Sequence, residues 1–466
     1  MTPAQAAATA GPAVTSRAVW AIAGPMILSN LSIAALGAVD TGVAGHLGSA
    51  TPLAAAAIGS QLVAYLAWGA GFLRMSTTGL AAAASGRGDL AEEAAVLWRG
   101  LAAGLIAAIV LSALAAGFLE PLIRVFGPPP AVAALAGEYI LIRLAGLPAA
   151  LAVLVLVGWF VGRGDARLPL AMILATNIVN AGLDVVLALW LGMGLAGVAL
   201  ASAIAEWTGC LIGLAAAFRH LARHHRLRPD MARLTDWPAL ARFARVNGDI
   251  FARTLLLIGS FALFMSLAGR LGTTTLAATA LLLTFLTIAS YGLDGMAYAA
   301  ESLAGRALGA GDIAGFDRAV RVTGLWTLGL GLVAALAFAV GGPWLIRALT
   351  DLAPVRALAL SLLPYAVALP LVAWACFWLD GVFIGATWSA AMRDAMLLAF
   401  AIHLGPALLL PDIMGADGLW IAFLGLFAAR GLAMAGWYTI RRRRLRSALP
   451  ATTPAPATST ATTTAR

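Results

Sequence analysis

The 466-residue chain is 62% hydrophobic and 11% charged, and its net charge of +9 is carried by arginine alone, since none of the 30 basic residues is lysine. Soluble domains hold about 25% charged residues, so a soluble fold is excluded and an all-α polytopic membrane protein is expected. Without lysine there is no P-loop and no Schiff-base cofactor, which argues against ATP-driven pumping by this chain and against retinal or pyridoxal phosphate chemistry.

In chain order, residues 1–16 are small and polar without the apolar core of a cleavable signal, and form an expected cytoplasmic tail. Hydropathy then predicts twelve helices, near 17–46, 52–83, 92–120, 130–162, 167–190, 194–220, 238–270, 275–304, 316–341, 354–385, 390–410 and 416–440. Each reaches or exceeds the ~20 residues that span a hydrocarbon core. With the amino terminus in the cytoplasm, 22 arginines fall inside, four outside (Arg124, Arg270, Arg347, Arg356) and four within helices (Arg74, Arg143, Arg253, Arg430). The positive-inside rule accounts for this pattern without nucleic acid and places both termini inside a prokaryotic cytoplasmic membrane. The segment 221–237 is a basic linker between an amino lobe (17–220) and a carboxyl lobe (238–440). Residues 441–466 combine a basic anchor, Arg441–Arg446, with an Ala/Thr/Pro tail expected to be disordered, the anchors facing anionic lipid.

The first helix carries Asp40 in an otherwise apolar run. A charged Asp at a membrane helix centre costs roughly 2.5–3.5 kcal/mol, so such a residue faces a cavity and marks an ion or substrate path. Asn30, Gly37, Asp40, Thr41 and Ala44 share its face by helical spacing. Pro25, lacking an amide hydrogen, is the natural bend point. On the fifth helix Asn177, Asn180 and Asp184 also share a face, and Ser202 with Glu206 on the sixth offers a hydroxyl and a third acid. Two carboxylates meeting in low dielectric do not both ionise without a cation; they hold a proton, or sodium at Asp40, Asn180 and Asp184.

The halves repeat. A shift of 223 residues lays AGPMILSN over VNGDIFAR and GRGD (86–89) over GAGD (309–312), and 224 lays the GHLG ending at Gly48 over the GRLG ending at Gly272. Two pseudo-symmetric six-helix lobes entering the membrane in the same sense follow. Phe264 stands where the repeat would put Asp40, so the coupling ion is assigned to the amino lobe. The carboxyl lobe has its own acids, Asp294, Glu301 and Asp380, and with Phe261, Phe264, Met265, Tyr291 and Tyr298 it offers a substrate wall suited to lipophilic cations. Asp249 is read as an interface residue and His403 as a satisfied buried histidine. Cys210 and Cys376 lack CxxC spacing, the histidines lack metal spacing, and GMGLAG (192–197) reads as a tight turn between helices rather than a dinucleotide loop.

The motifs GPMILSN, VDTGVAGHLG, FLRMSTTGLAA, NIVNAGLDVVL, YGLDGMAYAAESLAGRALGAGD and LDGVFIGAT resemble those of the multidrug and toxic compound extrusion (MATE) transporters, in the branch named after DNA-damage-inducible protein F, over nearly all of residues 17–440. The resemblance implies a monomeric antiporter without a cofactor, exporting lipophilic or cationic small molecules in exchange for protons or sodium. Asp40 matches the family's first-helix acid, Pro25 its bend proline, Asn180 and Asp184 its fifth-helix cation-site members. Ser202 stands where a threonine is common, and Tyr139 resembles a fourth-helix tyrosine lining that cavity. LVLVGW replaces a stretch that often holds an asparagine, which favours protons over sodium. A lipid-linked oligosaccharide flippase of the wider superfamily is the alternative, and a membrane enzyme is disfavoured by the lack of HExxH and GxSxG.

Overall fold

In a computed structural model, which describes residues 14–47, 49–224 and 230–447, every regular element is helical among the described residues. The amino-tail reading over residues 1–13, the centre of the basic linker (225–229) and the tail from residue 448 lie outside the described residues.

Helix α1 (Ser16–Gly45) starts where the Thr15 hydroxyl accepts the Ala18 amide hydrogen, a capping interaction that satisfies one of the free first-turn donors. It runs unbroken through Pro25. The second predicted span is divided into α2 (Ala50–Gly69) and α3 (Phe72–Gly86) by a turn at Ala70–Gly71. Next come α4 (Leu90–Gly117), capped by Asp89 accepting the Glu92 amide hydrogen at 3.1 Å, and the short α5 (Leu119–Arg124).

The fourth span is α6 (Pro130–Leu144) and α7 (Leu147–Gly162), bent by 52°. Pro148 sits at the start of α7, where its missing amide would otherwise have continued the helix from Leu144. Helix α8 (Arg167–Leu183) continues as a π-helical turn, Asp184–Trp190. A tight turn with Gly192 at φ +68° and Gly194 at φ +59° leads into α9 (Gly194–Arg223). The sequence reading of GMGLAG as a turn is therefore what the backbone does.

After the short α10 (Met231–Leu234) come α11 (Trp237–Arg270), α12 (Thr273–Gly309), α13 (Ile313–Leu349), α14 (Ala353–Gly385), α15 (Ser389–Met414) and α16 (Ala416–Ser447). Eleven helical segments, α2 and α3 counting as one, are long and apolar enough to cross a membrane, and twelve when the bent α6–α7 pair counts as a single span. The chain is thus an all-helical polytopic membrane protein.

The two halves meet backbone to backbone where α3 packs on α12 and α14. A Cβ built on Gly79, Gly86 or Gly309 would overlap the carbonyl oxygen of Ile384, Arg306 or Ala83 respectively. Glycine is required at these crossings because any side chain would force the helices apart. The seam lies at the arginine-rich end of the bundle, where the Arg306 guanidinium packs against Gly164. Towards the other end of α1, positions 37, 42 and 45 have open space around them.

Candidate functional site

The amino-half constellation is assembled by α1 and α8. The Asn180 amide donates to Asp184 Oδ2 at 2.7 Å and to Asp40 Oδ1 at 3.1 Å. The one amide group thereby links the two carboxyl groups. Asp184 and Asn180 are buried, Asp40 is half-buried, and Asp184 Oδ1 has no hydrogen-bond partner among the described residues. A second rung of the same face joins Asn177 to Ser32, amide to hydroxyl, at 2.9 Å.

Asp184 opens the π-helical turn. Such turns widen the helix and re-aim side chains, and they recur at functional positions. Gly197 of α9 lies against the backbone of Leu187 and Ala188 and so packs α9 tightly onto this turn. No proline or glycine lies within the turn itself, DVVLALW, so hydropathy alone could not reveal it.

Residues expected beside this pair divide. Ser202 and Tyr139 are buried, Tyr139 one helical turn before Arg143 and close enough to feel the charges of Asp40, Glu206 and Asp184. Glu206 is not a third acid of the pair. It is ion-paired with Arg143 at 2.7 Å, and the Arg143 charge also acts on Asp40 and Asp184. Asn30 donates across the halves to the Tyr291 carbonyl at 3.2 Å, whereas the Thr41 hydroxyl bonds back to Gly37 of its own helix at 2.8 Å. The Ser29 hydroxyl bonds to the Pro25 carbonyl at 2.9 Å.

In the carboxyl half, the expected aromatic wall needs correction. Phe264 is buried, stacked on Phe423 with ring centroids 4.0 Å apart and edge-on to Trp420, and Phe261 packs edge-on against Phe423 and Phe427. They and the partly buried Met265 belong to the hydrophobic core between α11 and α16. Helical periodicity located these rings on α11 but could not tell which neighbour covers them.

The acids there are mostly paired as well. Glu301 receives a two-pronged contact from Arg74, at 2.9 and 3.2 Å, and the guanidinium lies 4.4 Å from the centre of the Tyr298 ring. Asp380 is held by both Arg253 and Arg430. Only Asp294 of the three, half-buried near these charges, has no hydrogen bond or ion pair among the described residues. Arg74, Arg143, Arg253 and Arg430, the four arginines expected within the spans, are therefore all ion-paired. The sequence signal was available: a lone charge inside an apolar helix must find an opposite charge.

Asp249 accepts from Ser389 at 2.8 Å and pairs with Arg393, so it joins α11 to α15. His403 is buried with Nδ1 at 2.9 Å from the Ala422 carbonyl.

The MatE family model matches residues 25–186 and 250–409. DNA damage-inducible protein F of Escherichia coli (strain K12) is 37% identical over 426 residues, covering 90% of this chain and 91% of that protein. A probable multidrug resistance protein NorM of Rhizobium meliloti (strain 1021) is 30% identical over 457 residues, covering 92% and 93%. Among solved structures, one of MATE in the bent conformation superposes with a TM-score of 0.84 at 18% identity, covering 92% of this chain and 96% of that one. The Vibrio cholerae MATE transporter VcmN in the bent form gives 0.83 at 23% identity, covering 92% and 98%. These superpositions establish the shared helical fold.

Proposed function

The chain belongs to the MatE family, and from that membership we propose that it is a proton-coupled antiporter rather than an enzyme. It exports lipophilic or cationic toxic compounds across a prokaryotic cytoplasmic membrane, its halves opening to each side in turn. The names of its NorM relatives, probable multidrug resistance proteins, support the substrate class.

One observation carries the coupling assignment: a single amide, Asn180, bridges the carboxyls of Asp40 and Asp184 in a buried site. Such a pair binds one proton readily, because two adjacent carboxylates in low dielectric resist joint ionisation. Protonation removes the charge that holds α1 against α8. Helix α1 lacks one backbone hydrogen bond at Pro25 and is softest there. Uptake of the proton thus frees α1 to move and to expel a bound cation. The arginine-rich end, placed in the cytoplasm by the positive-inside rule, is the end closed by the glycine seam, so this conformation is read as open to the outside.

Sodium is the second reading, at Asp40, Asn180 and Asp184. The LVLVGW stretch lacks the asparagine oxygen that would add a ligand for sodium, and a cation needs several oxygen ligands, which supports the proton. The pairing of Arg74, Arg143, Arg253 and Arg430, the arginines expected deep in the membrane, weighs against a flippase that would grip anionic lipid-linked sugars in its cavity.

The test is exchange of a cationic dye in proteoliposomes under separately imposed proton and sodium gradients. Transport driven by the proton gradient and lost in Asp40→Asn is expected. Exchange driven by sodium alone would overturn the proton assignment, and undiminished proton-driven exchange in Asp40→Asn would remove Asp40 from the coupling role.

A further inference from the structure

A second cluster of charge lies outside the coupling site, at the arginine-rich end and on the line where the halves meet. A cavity of about 110 Å³ is lined by Arg87, which follows α3, Arg99 and Glu92 of α4, Arg242 of α11, and Thr387, which follows α14. It is far smaller than the roughly 300–1,000 Å³ of a drug-sized pocket, yet adequate for one compact anion.

Three features point to a ligand. Arg99 is 7% exposed and lines the cavity from its buried side, and the one acid it bonds, Glu92, is shared with Arg233, so the positive charge there exceeds the negative. Arg87 and Arg242 form no ion pair among the described residues, and no Asp or Glu occurs in the remainder of the chain. Glu92 is the one acid in the cavity lining, and it is engaged by Arg99 at 2.9 Å and Arg233 at 3.7 Å. Finally, Thr387 is the only described non-glycine residue with positive φ, +54°. It occupies the turn that closes α14, with its amide donating to Ile384 at 3.0 Å, a position that favours glycine. A β-branched residue kept in a strained conformation marks a site where the side chain is wanted.

We propose that this cavity binds a phosphate group, held by Arg87 and Arg242 at the rim with the buried Arg99 adding its positive charge behind them, bridging the α3–α4 turn and α4 of one half to α11 of the other. Planar guanidinium forks suit the oxygens of phosphate and bind them in pairs. The phosphate comes either from an anionic phospholipid headgroup or from free inorganic phosphate, and the two sources separate by experiment.

The experiment uses the full chain, in detergent with inorganic phosphate and in nanodiscs of phosphatidylcholine with or without phosphatidylglycerol, reading the thermal midpoint and binding by calorimetry. Anything that binds the folded state raises the midpoint. A rise with inorganic phosphate identifies the free anion; a rise with phosphatidylglycerol alone identifies the headgroup. In either case the Arg87→Gln/Arg242→Gln variant, which leaves the Arg99–Glu92 pair intact, is expected to weaken binding at least tenfold. The Arg443→Gln/Arg444→Gln variant, with the same loss of charge on exposed residues elsewhere, is expected to bind like the wild type. Thr387→Gly relieves the strain and removes the hydroxyl, and is expected to raise the ligand-free midpoint while lowering affinity. No midpoint rise with either ligand, or equal losses in the two double variants, overturns the proposal.

Discussion

Replacing Asn180 with alanine removes one amide that donates two hydrogen bonds, at 2.7 Å to Asp184 and 3.1 Å to Asp40. Hydrogen bonds to charged groups contribute about 1.5–3 kcal/mol each. The two share a donor group and are not additive, so about 2–4 kcal/mol is a fair total. At about 1.4 kcal/mol per decade, the population of the bridged arrangement falls by about 30- to 1,000-fold. Proton-driven exchange in proteoliposomes at a fixed imposed gradient should therefore drop by more than an order of magnitude in Asn180→Ala. The matched control is Asn177→Ala, which loses only the neutral bond to Ser32, about 0.5–1.5 kcal/mol, and should fall by tenfold or less. Thermal unfolding of each variant reports whether the fold survives. Exchange in Asn180→Ala within twofold of wild type, with the fold intact, would refute the idea that the bridged pair is the coupling element.

Other outcomes follow from the same geometry. Glu301→Gln leaves the Arg74 guanidinium, 11% exposed, without its carboxylate, and should cost about 3–5 kcal/mol, read as a lower thermal midpoint that Arg74→Gln/Glu301→Gln largely restores. Phe264→Ala should cost about 3–5 kcal/mol without changing the ranking of transported compounds; a changed ranking would return Phe264 to the cavity wall. Gly86→Ala drives a methyl into the Arg306 carbonyl and should widen the distance between spin labels placed on α4 and α13. Asp89 lies in the turn between α3 and α4: burial pushes its carboxyl up, but hydrogen bonds from Arg233 and the Glu92 amide, with the Arg233 and Arg87 charges, outweigh this and hold it below the usual value. A depressed folded value means stability present above about pH 4, the ordinary Asp value, and lost as pH falls through the folded value. Arg233→Ala should accordingly shrink the difference in thermal midpoint between about pH 7 and about pH 3, and an unchanged difference would refute the pairing.

The spans were legible because the membrane demands long apolar runs, and helix starts such as Ser16 and Trp237 fall within a residue of the hydropathy boundaries. Asp40, Asn180 and Asp184 were legible as lone polar groups at helical spacing, and the structure brings them together. Partnerships were not. Arg74 and Glu301 are 227 residues apart, and one chain read alone carries no signal for which distant charge neutralises which. The same gap left Glu206, offered as a third acid, without its arginine partner, and placed Phe264 in a wall. The bend at α6–α7 had a visible cause in Pro148, whereas the π-helical turn at Asp184 had none.

The glycine seam between α3, α12 and α14 has a thermodynamic meaning. Main-chain carbonyls and Cα atoms face one another there in place of interlocked side chains, so parting the helices at these crossings uncovers main chain rather than large side chains. Water can solvate the exposed carbonyls at once. A boundary built this way resembles a hinge plate more than a hydrophobic core: it shuts by shape alone and reopens without having to melt anything.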